Sequence, residues 1–168
     1  MRNATWKILS PVLAAFAFGG GALGGGAYAA DIQRVYQSPT ARFASSITVP
    51  AGSDLVFLSG AALPPAAAGA SNGATEAQAD AVLKMIGDNL KSLGLGYGDV
   101  VSMHVYLVGD PAKGGAMDFA ALNAAYGRVF GAPDQPNRPT RTTVQVSALA
   151  VPGDLVEIEV VAARAKAR

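Results

Sequence analysis

Two ionisable residues near the C-terminus offer the clearest chemistry in this sequence. Arg141 lies in the stretch 138–149, Arg-Pro-Thr-Arg-Thr-Thr-Val-Gln-Val-Ser-Ala-Leu, and Glu157 in the stretch 155–161, Leu-Val-Glu-Ile-Glu-Val-Val. Both stretches alternate in polarity with a period of two, the pattern of a β-strand with one apolar face. Arg141, Thr143, Gln145 and Ser147 share one side of the first strand, opposite Val144, Val146 and Ala148. In the second, Glu157 and Glu159 stand opposite Val156, Ile158 and Val160. Paired antiparallel across the turn Val151-Pro152-Gly153-Asp154, the two strands would bring a guanidinium and a carboxylate together on one side of a sheet. A guanidinium gives a small carboxylate ligand a planar, permanently charged partner. A protein carboxylate beside a water can orient it and carry its proton. The plainer reading is a surface cross-strand ion pair, worth under about 1 kcal/mol.

Other chemistries find little support. The chain has no cysteine and one histidine, His104, so it holds neither a disulfide framework nor a zinc-type cluster. His104 has no carboxylate beside it in sequence and reads as structural, with catalysis the lesser alternative. Thirteen basic residues, two of them in an N-terminal leader, face twelve acidic ones, which is not the basic footprint of a nucleic-acid binder. Arg164, Lys166 and Arg168 make a short cationic tail that reads as a solvated end.

Residues 1–29 read as a secretory signal: Arg2 and Lys7, an apolar run from Ile8 to Phe18, a glycine-rich stretch, then Ala27-Tyr28-Ala29 with small residues at −3 and −1. The alternative is an uncleaved anchor, for which the many glycines make a poor helix. The expected locale is periplasmic or secreted, with no membrane attachment after cleavage. The remaining chain divides into an N-terminal segment (30–49) with a possible first strand at Arg42–Val49, one domain (50–163) and the basic tail (164–168).

The elements that must position Arg141 and Glu157 follow in order. Leu55–Leu58 is a short apolar strand ending at Ser59-Gly60, where the glycine suits either a bulge with close backbone approach or a plain turn. Thr75 opens a helix, spaced with Gln78 as a capping box. Val82, Met85, Ile86, Leu90 and Leu93 form its apolar stripe, and Gly94 takes the left-handed position after it. Asp99–Val108 is a strand with apolar groups on both faces, so cover is expected on both sides. Asp118 caps a second helix, Phe119–Phe130, with Leu122, Tyr126 and Phe130 on one stripe and Asn123 beside it. The order β-β-α-β-α-β-β is α+β, with two helices on one face of a mixed sheet. A second copy of the chain is the economical cover for the other face.

Taken together, Gly98-Asp99-Val100-Val101, Val105-Tyr106-Leu107, Asn123-x-x-Tyr126-x-x-x-Phe130, Pro139-x-Arg141-x-x-Val144-x-Val146-x-x-Leu149 and Glu157-x-Glu159 resemble the RidA (YjgF/YER057c/UK114) family in order and spacing, over about residues 50–163. Ser59-Gly60 looks like that family's Ser-Gly step, with Pro64 displaced by one residue. The resemblance implies a chorismate-mutase-like fold, a homotrimer with clefts between subunits, and hydrolysis of reactive enamines and imines of the 2-aminoacrylate type to 2-oxo acids and ammonia. It implies no metal or organic cofactor. It makes Arg141 the substrate anchor and Glu157 the residue that positions water, with Gly60, Asn123 and Thr143 as substrate-binding residues. Glu159 reads as solvated. The sequence also departs from the family. The first-strand tyrosine would fall near Ser45 or Ser46, so an aromatic cleft group is expected to be lost. Ala61 stands for a glutamine, and Thr143 for a cysteine. These departures keep a second reading open, a non-catalytic trimeric binder of small carboxylates or a chaperone-like scaffold. Some relatives carry an endoribonuclease label, to which the near-neutral charge is ill suited.

Overall fold

The computed structural model describes residues 31–65 and 73–165, so the apolar leader lies outside the described residues. Six strands and two α-helices occur in the order β1 (Gln33–Val35), β2 (Ser46–Thr48), β3 (Asp54–Ala61), α1 (Thr75–Ser92), β4 (Val100–Val108), α2 (Phe119–Val129), β5 (Thr140–Val146) and β6 (Val156–Arg164). From β2 onward this is the expected order. One further short strand, β1, lies in the N-terminal segment ahead of it, and β2 is shorter than the expected 42–49.

Four strands form one sheet in the order β3-β6-β4-β5, and β1 and β2 form a separate antiparallel ribbon. β5 runs parallel to β4, which the α2 crossover between them permits. β6 runs antiparallel to both its neighbours, β3 and β4. The expected β5–β6 hairpin therefore does not form: β4 lies between them. Apolar content explains the exchange. Val156, Ile158, Val160, Ala162 and Ala163 are all buried, so β6 gains most from a central place. β5 is rich in Thr and Gln and tolerates an edge, where one line of backbone groups meets water.

Both helices cover one face. Ala79, Val82, Leu83, Ile86 and Leu90 of α1 and Leu122, Ala125 and Tyr126 of α2 pack with Met103, Val105, Leu107, Ile158 and Val160 into one core. Each large aliphatic side chain so buried contributes about 1.5–3 kcal/mol. Met85 and Leu93, expected in this stripe, are exposed instead, on the flank of α1 beside the edge strand β3. The capping box is also absent: Ala74 is the N-cap and makes no side-chain bond. The Thr75 hydroxyl donates to Asp110, and Gln78 bridges the Gly73 and Gly153 carbonyls and the Leu155 amide. Both side chains are buried and tie α1 to the loops leading away from β4 and into β6. Gly94 does adopt the left-handed conformation (φ 69°), with Leu95 N–H donating to Leu90 O and Gly94 N–H to Lys91 O. Asp118 caps α2 by accepting from the Ala121 amide at 3.0 Å.

The sheet's second face carries Leu55 and Phe57 of β3, His104 and Tyr106 of β4, Val144 of β5, and Glu157 and Glu159 of β6, none of them buried. No helix of the described chain covers it.

Candidate active site

Arg141 projects from β5 on the helix side of the sheet. Its register partner is Met103, whose side chain is core. The guanidinium Nη2 donates to Oδ1 of Asn123 on α2 at 2.8 Å. Three rings surround it: Tyr126 at 4.5 Å, Phe43 at 5.4 Å and Phe119 at 5.6 Å from the guanidinium carbon. Rings at this range favour a cation through their electron-rich faces. No carboxylate of the described residues pairs with Arg141. Its Nη1 is buried without a hydrogen-bond partner, and so are the Thr143 and Tyr126 hydroxyls nearby. Burial pulls the Arg141 pKa down, and the cation of Arg42 pulls the same way. Burial pushes the Tyr126 hydroxyl up, well above the ordinary tyrosine range. An arginine remains charged under such perturbation, so the site holds a fixed positive charge flanked by three aromatic rings. A cleft of about 330 Å³ lies beside β5, lined by Gln37, Phe43, Ser45, Ser102, His104 and Thr142 as well as by Arg141 and Met103; Asn123, Phe119 and Tyr126 do not line it.

The N-terminal ribbon supplies one wall. The Ala44 amide donates to Pro139 O, Arg34 donates to Gly98 O, and the Tyr36 hydroxyl accepts from the Arg138 amide. These bonds pin the ribbon beside the start of β5 and set Phe43 over Arg141. An aromatic group is therefore present where one was expected to be lost. It comes from Phe43, not from 45 or 46, and it lacks a hydroxyl.

Glu157 lies elsewhere. Its register partner is Tyr106, an odd number of residues from Met103, so Glu157 projects from the opposite face of the sheet. Gly60 is beside it: a side chain on Gly60 would collide with the Glu157 carboxylate. The β3 register shifts between Leu58 and Ala61, which is the bulge that the glycine suggested. Arg141, Asn123 and Thr143 thus gather on one face of a protomer, and Glu157 and Gly60 on the other. The juxtaposition of Arg141 and Glu157 across a hairpin is overturned within one chain.

Glu159, expected to be solvated, accepts at Oε1 from His104 Nδ1 at 2.8 Å and from the Tyr106 hydroxyl at 3.3 Å. His104 has the carboxylate partner that its sequence neighbourhood lacked, supplied by β6. Among the described residues no group of three or more His, Asp or Glu side chains is placed to hold a metal ion.

Residues 35–164 match the family model described as Endoribonuclease L-PSP. The RutC family protein slr0709 of Synechocystis is 41% identical over 91 residues, 54% of this chain and 62% of that protein. The chloroplastic Reactive Intermediate Deaminase A of Arabidopsis thaliana is 37% identical over 110 residues, 65% of this chain and 53% of that protein. The matched stretches thus span less than two thirds of either relative. Among solved structures, the conserved Rid family protein YyfB of Yersinia pestis superimposes with a TM-score of 0.60 at 26% identity, over 78% of this chain and 98% of that one. E. coli TdcF, solved with bound serine, superimposes with a TM-score of 0.54 at 28% identity, over 79% of this chain and all of that one.

Proposed function

From the premise that this chain belongs to the Endoribonuclease L-PSP family, the RidA/YjgF group, we propose that it hydrolyses reactive 2-imino acids and their enamine tautomers to 2-oxo acids and ammonia. The observation that carries this reading is the Arg141 guanidinium: charged, half-buried, without an acidic partner among the described residues, with one buried N–H left unpartnered, on a residue that lines a cleft. A buried donor left unpaired costs about 1–3 kcal/mol, more when charged, and a ligand carboxylate would supply the acceptor. The serine in E. coli TdcF supports this, because it brings a carboxylate to a related fold.

In the proposed reaction a water oxygen attacks the imine carbon, and the C=N electron pair becomes an N–H bond. The resulting carbinolamine then expels ammonia as its C=O forms. Water is the only co-reactant. Glu157 would orient that water and take its proton, then return it to the departing nitrogen. Asn123 holds the guanidinium in place, and Thr143 and the Gly60 backbone would contact the substrate.

These roles require two copies of the chain. Arg141 and Glu157 occupy opposite faces of one protomer, so a complete site joins the Arg141 face of one copy to the Glu157 face of the next. Such a head-to-tail contact is heterologous and closes as a ring, which favours a cyclic trimer over a two-fold dimer. The exposed second sheet face, with Phe57 74% open, would supply the buried surface. We place the mature protein in the periplasm or outside the cell, on the leader alone.

The test generates imines with an amino-acid oxidase and traps the unhydrolysed fraction as semicarbazones. Wild type should deplete the trapped species and Arg141→Ala should not. Equal trapping with and without protein would sink the deaminase reading. Phe43 favours keeping a second reading, because it lacks the hydroxyl of the family's tyrosine: a trimeric binder of small carboxylates, or a scaffold. Saturable, Arg141-dependent binding without turnover would establish the binder.

A further inference from the structure

We propose that the Arg141 cleft selects carboxylates bearing a bulky apolar side chain, so that imines of aromatic and large aliphatic amino acids are preferred over those of alanine or serine. This rests on the carboxylate-anchoring reading of Arg141 above. Phe43 and Phe119 flank the guanidinium from opposite elements, the N-terminal ribbon and the start of α2. Stacking on Arg141 uses only part of each ring, and within one protomer 43% and 42% of their surfaces remain open, on the side where the next copy would bring Glu157. Large aromatic side chains this exposed beside a buried cation gain by being covered. A ligand whose carboxylate sits on Arg141 places its side chain within reach of these rings. Phe43 has no hydroxyl to bond a polar side chain, and the nearby cation of Arg42 disfavours a positively charged one. Small side chains such as methyl or hydroxymethyl would leave both rings uncovered by the ligand.

The experiment compares two stable 2-oxo acids, pyruvate and phenylpyruvate, by calorimetry on the full mature protein. In parallel it measures kcat/KM for the imines generated from alanine and phenylalanine. Wild type should favour the phenyl compound by about tenfold or more in both, the factor that about 1.4 kcal/mol of ring contact provides. Phe43→Ala and Phe119→Ala should each cut that ratio severalfold. Phe43→Leu, which keeps bulk, should cut it less and guards against a folding defect. Arg141-dependent binding or turnover with no preference, or with pyruvate favoured, overturns the inference while leaving the anchoring reading standing. A preference that survives both alanine variants also overturns it. Failure of both oxo acids to bind, with no imine turnover, removes the anchoring reading and this inference with it.

Discussion

Arg141→Met separates a functional cation from a structural one. Methionine matches the length of the arginine stem and carries no charge. The substitution removes one charge-assisted hydrogen bond to Asn123, worth about 1.5–3 kcal/mol. It also removes contacts with three rings, worth about 0.5–2 kcal/mol for a partly desolvated cation. Against these, it relieves an unpaired buried Nη1, worth about 1–3 kcal/mol or more for a charged group. It also buries an apolar chain in a half-buried place, worth up to about 1.5–3 kcal/mol. The opposing contributions nearly cancel, so stability should move by no more than about 1.5 kcal/mol. At roughly 2–4 °C per kcal/mol for a chain near this size, the Tm should shift by less than about 6 °C. Loss of two charge-assisted bonds to a substrate carboxylate, about 3–6 kcal/mol, should lower kcat/KM by about 10²–10⁴. Thermal unfolding and imine hydrolysis on one preparation read both numbers. A Tm fall beyond about 10 °C would mark Arg141 as a structural ion of the kind whose removal costs 3–5 kcal/mol. Unchanged hydrolysis would remove it from the site altogether.

Three further outcomes follow from the same geometry. Gly60→Ala should push the Glu157 carboxylate aside and lower kcat by about tenfold or more, part of what a positioned acid–base group supplies; the Tm should move little, because the end of a glutamate side chain can swing. Gly94→Ala strains a left-handed residue in the turn after α1, so it should cost about 1 kcal/mol in thermal unfolding with kcat/KM unchanged. The Ala121 amide and then Lys113 hold the Asp118 carboxyl below its ordinary value of 3.8. The stability from that charge is therefore complete above about pH 4 and is lost as pH falls through the lower folded-state value. Asp118→Asn keeps the cap but lacks the charge, so it should flatten that part of the acid limb in Tm-versus-pH measurements and lower the neutral-pH Tm slightly, with the two proteins converging at low pH.

Local signals in the sequence translated well. Period-two alternation located β4, β5 and β6, helical spacing located α1 and α2, and Gly94 and Asp118 marked helix ends that the structure bears out. Neighbourhood was less legible. Alternation gives the faces of a strand but not its partner, and proximity in sequence favoured a β5–β6 hairpin. Burial decided otherwise, because an all-apolar face and small alanines suit β6 to the centre. Thr75 and Gln78 have the spacing of a cap, yet tertiary partners on other loops claimed both side chains. Phe43 was missed because its role depends on a ribbon that short-range pattern could not place. Its signal was present nonetheless: an aromatic residue next to Arg42, just before the serines where a ring was sought.

The edge position of β5 has a functional consequence that a hairpin would not allow. Beside β6, a hairpinned β5 would offer its guanidinium to Glu157 or Glu159 on the neighbouring strand, and the product of such closeness is an internal ion pair with no charge left for a ligand. With β4 between them and the two side chains on opposite faces, Arg141 pairs with no acid among the described residues of its own protomer. The charge therefore remains available, at the expense of an unpaired buried N–H. Glu157, on a central strand with β3 and β4 bonded on either side, is held by a rigid frame rather than by a loop. Separating anchor from base in this way makes the complete site conditional on assembly. A dissociated protomer should still anchor a carboxylate weakly while turnover falls to background. A dilution series that tracks hydrolysis and mass by light scattering therefore tests the split directly: activity per chain that stays constant as the oligomer dissociates would refute it.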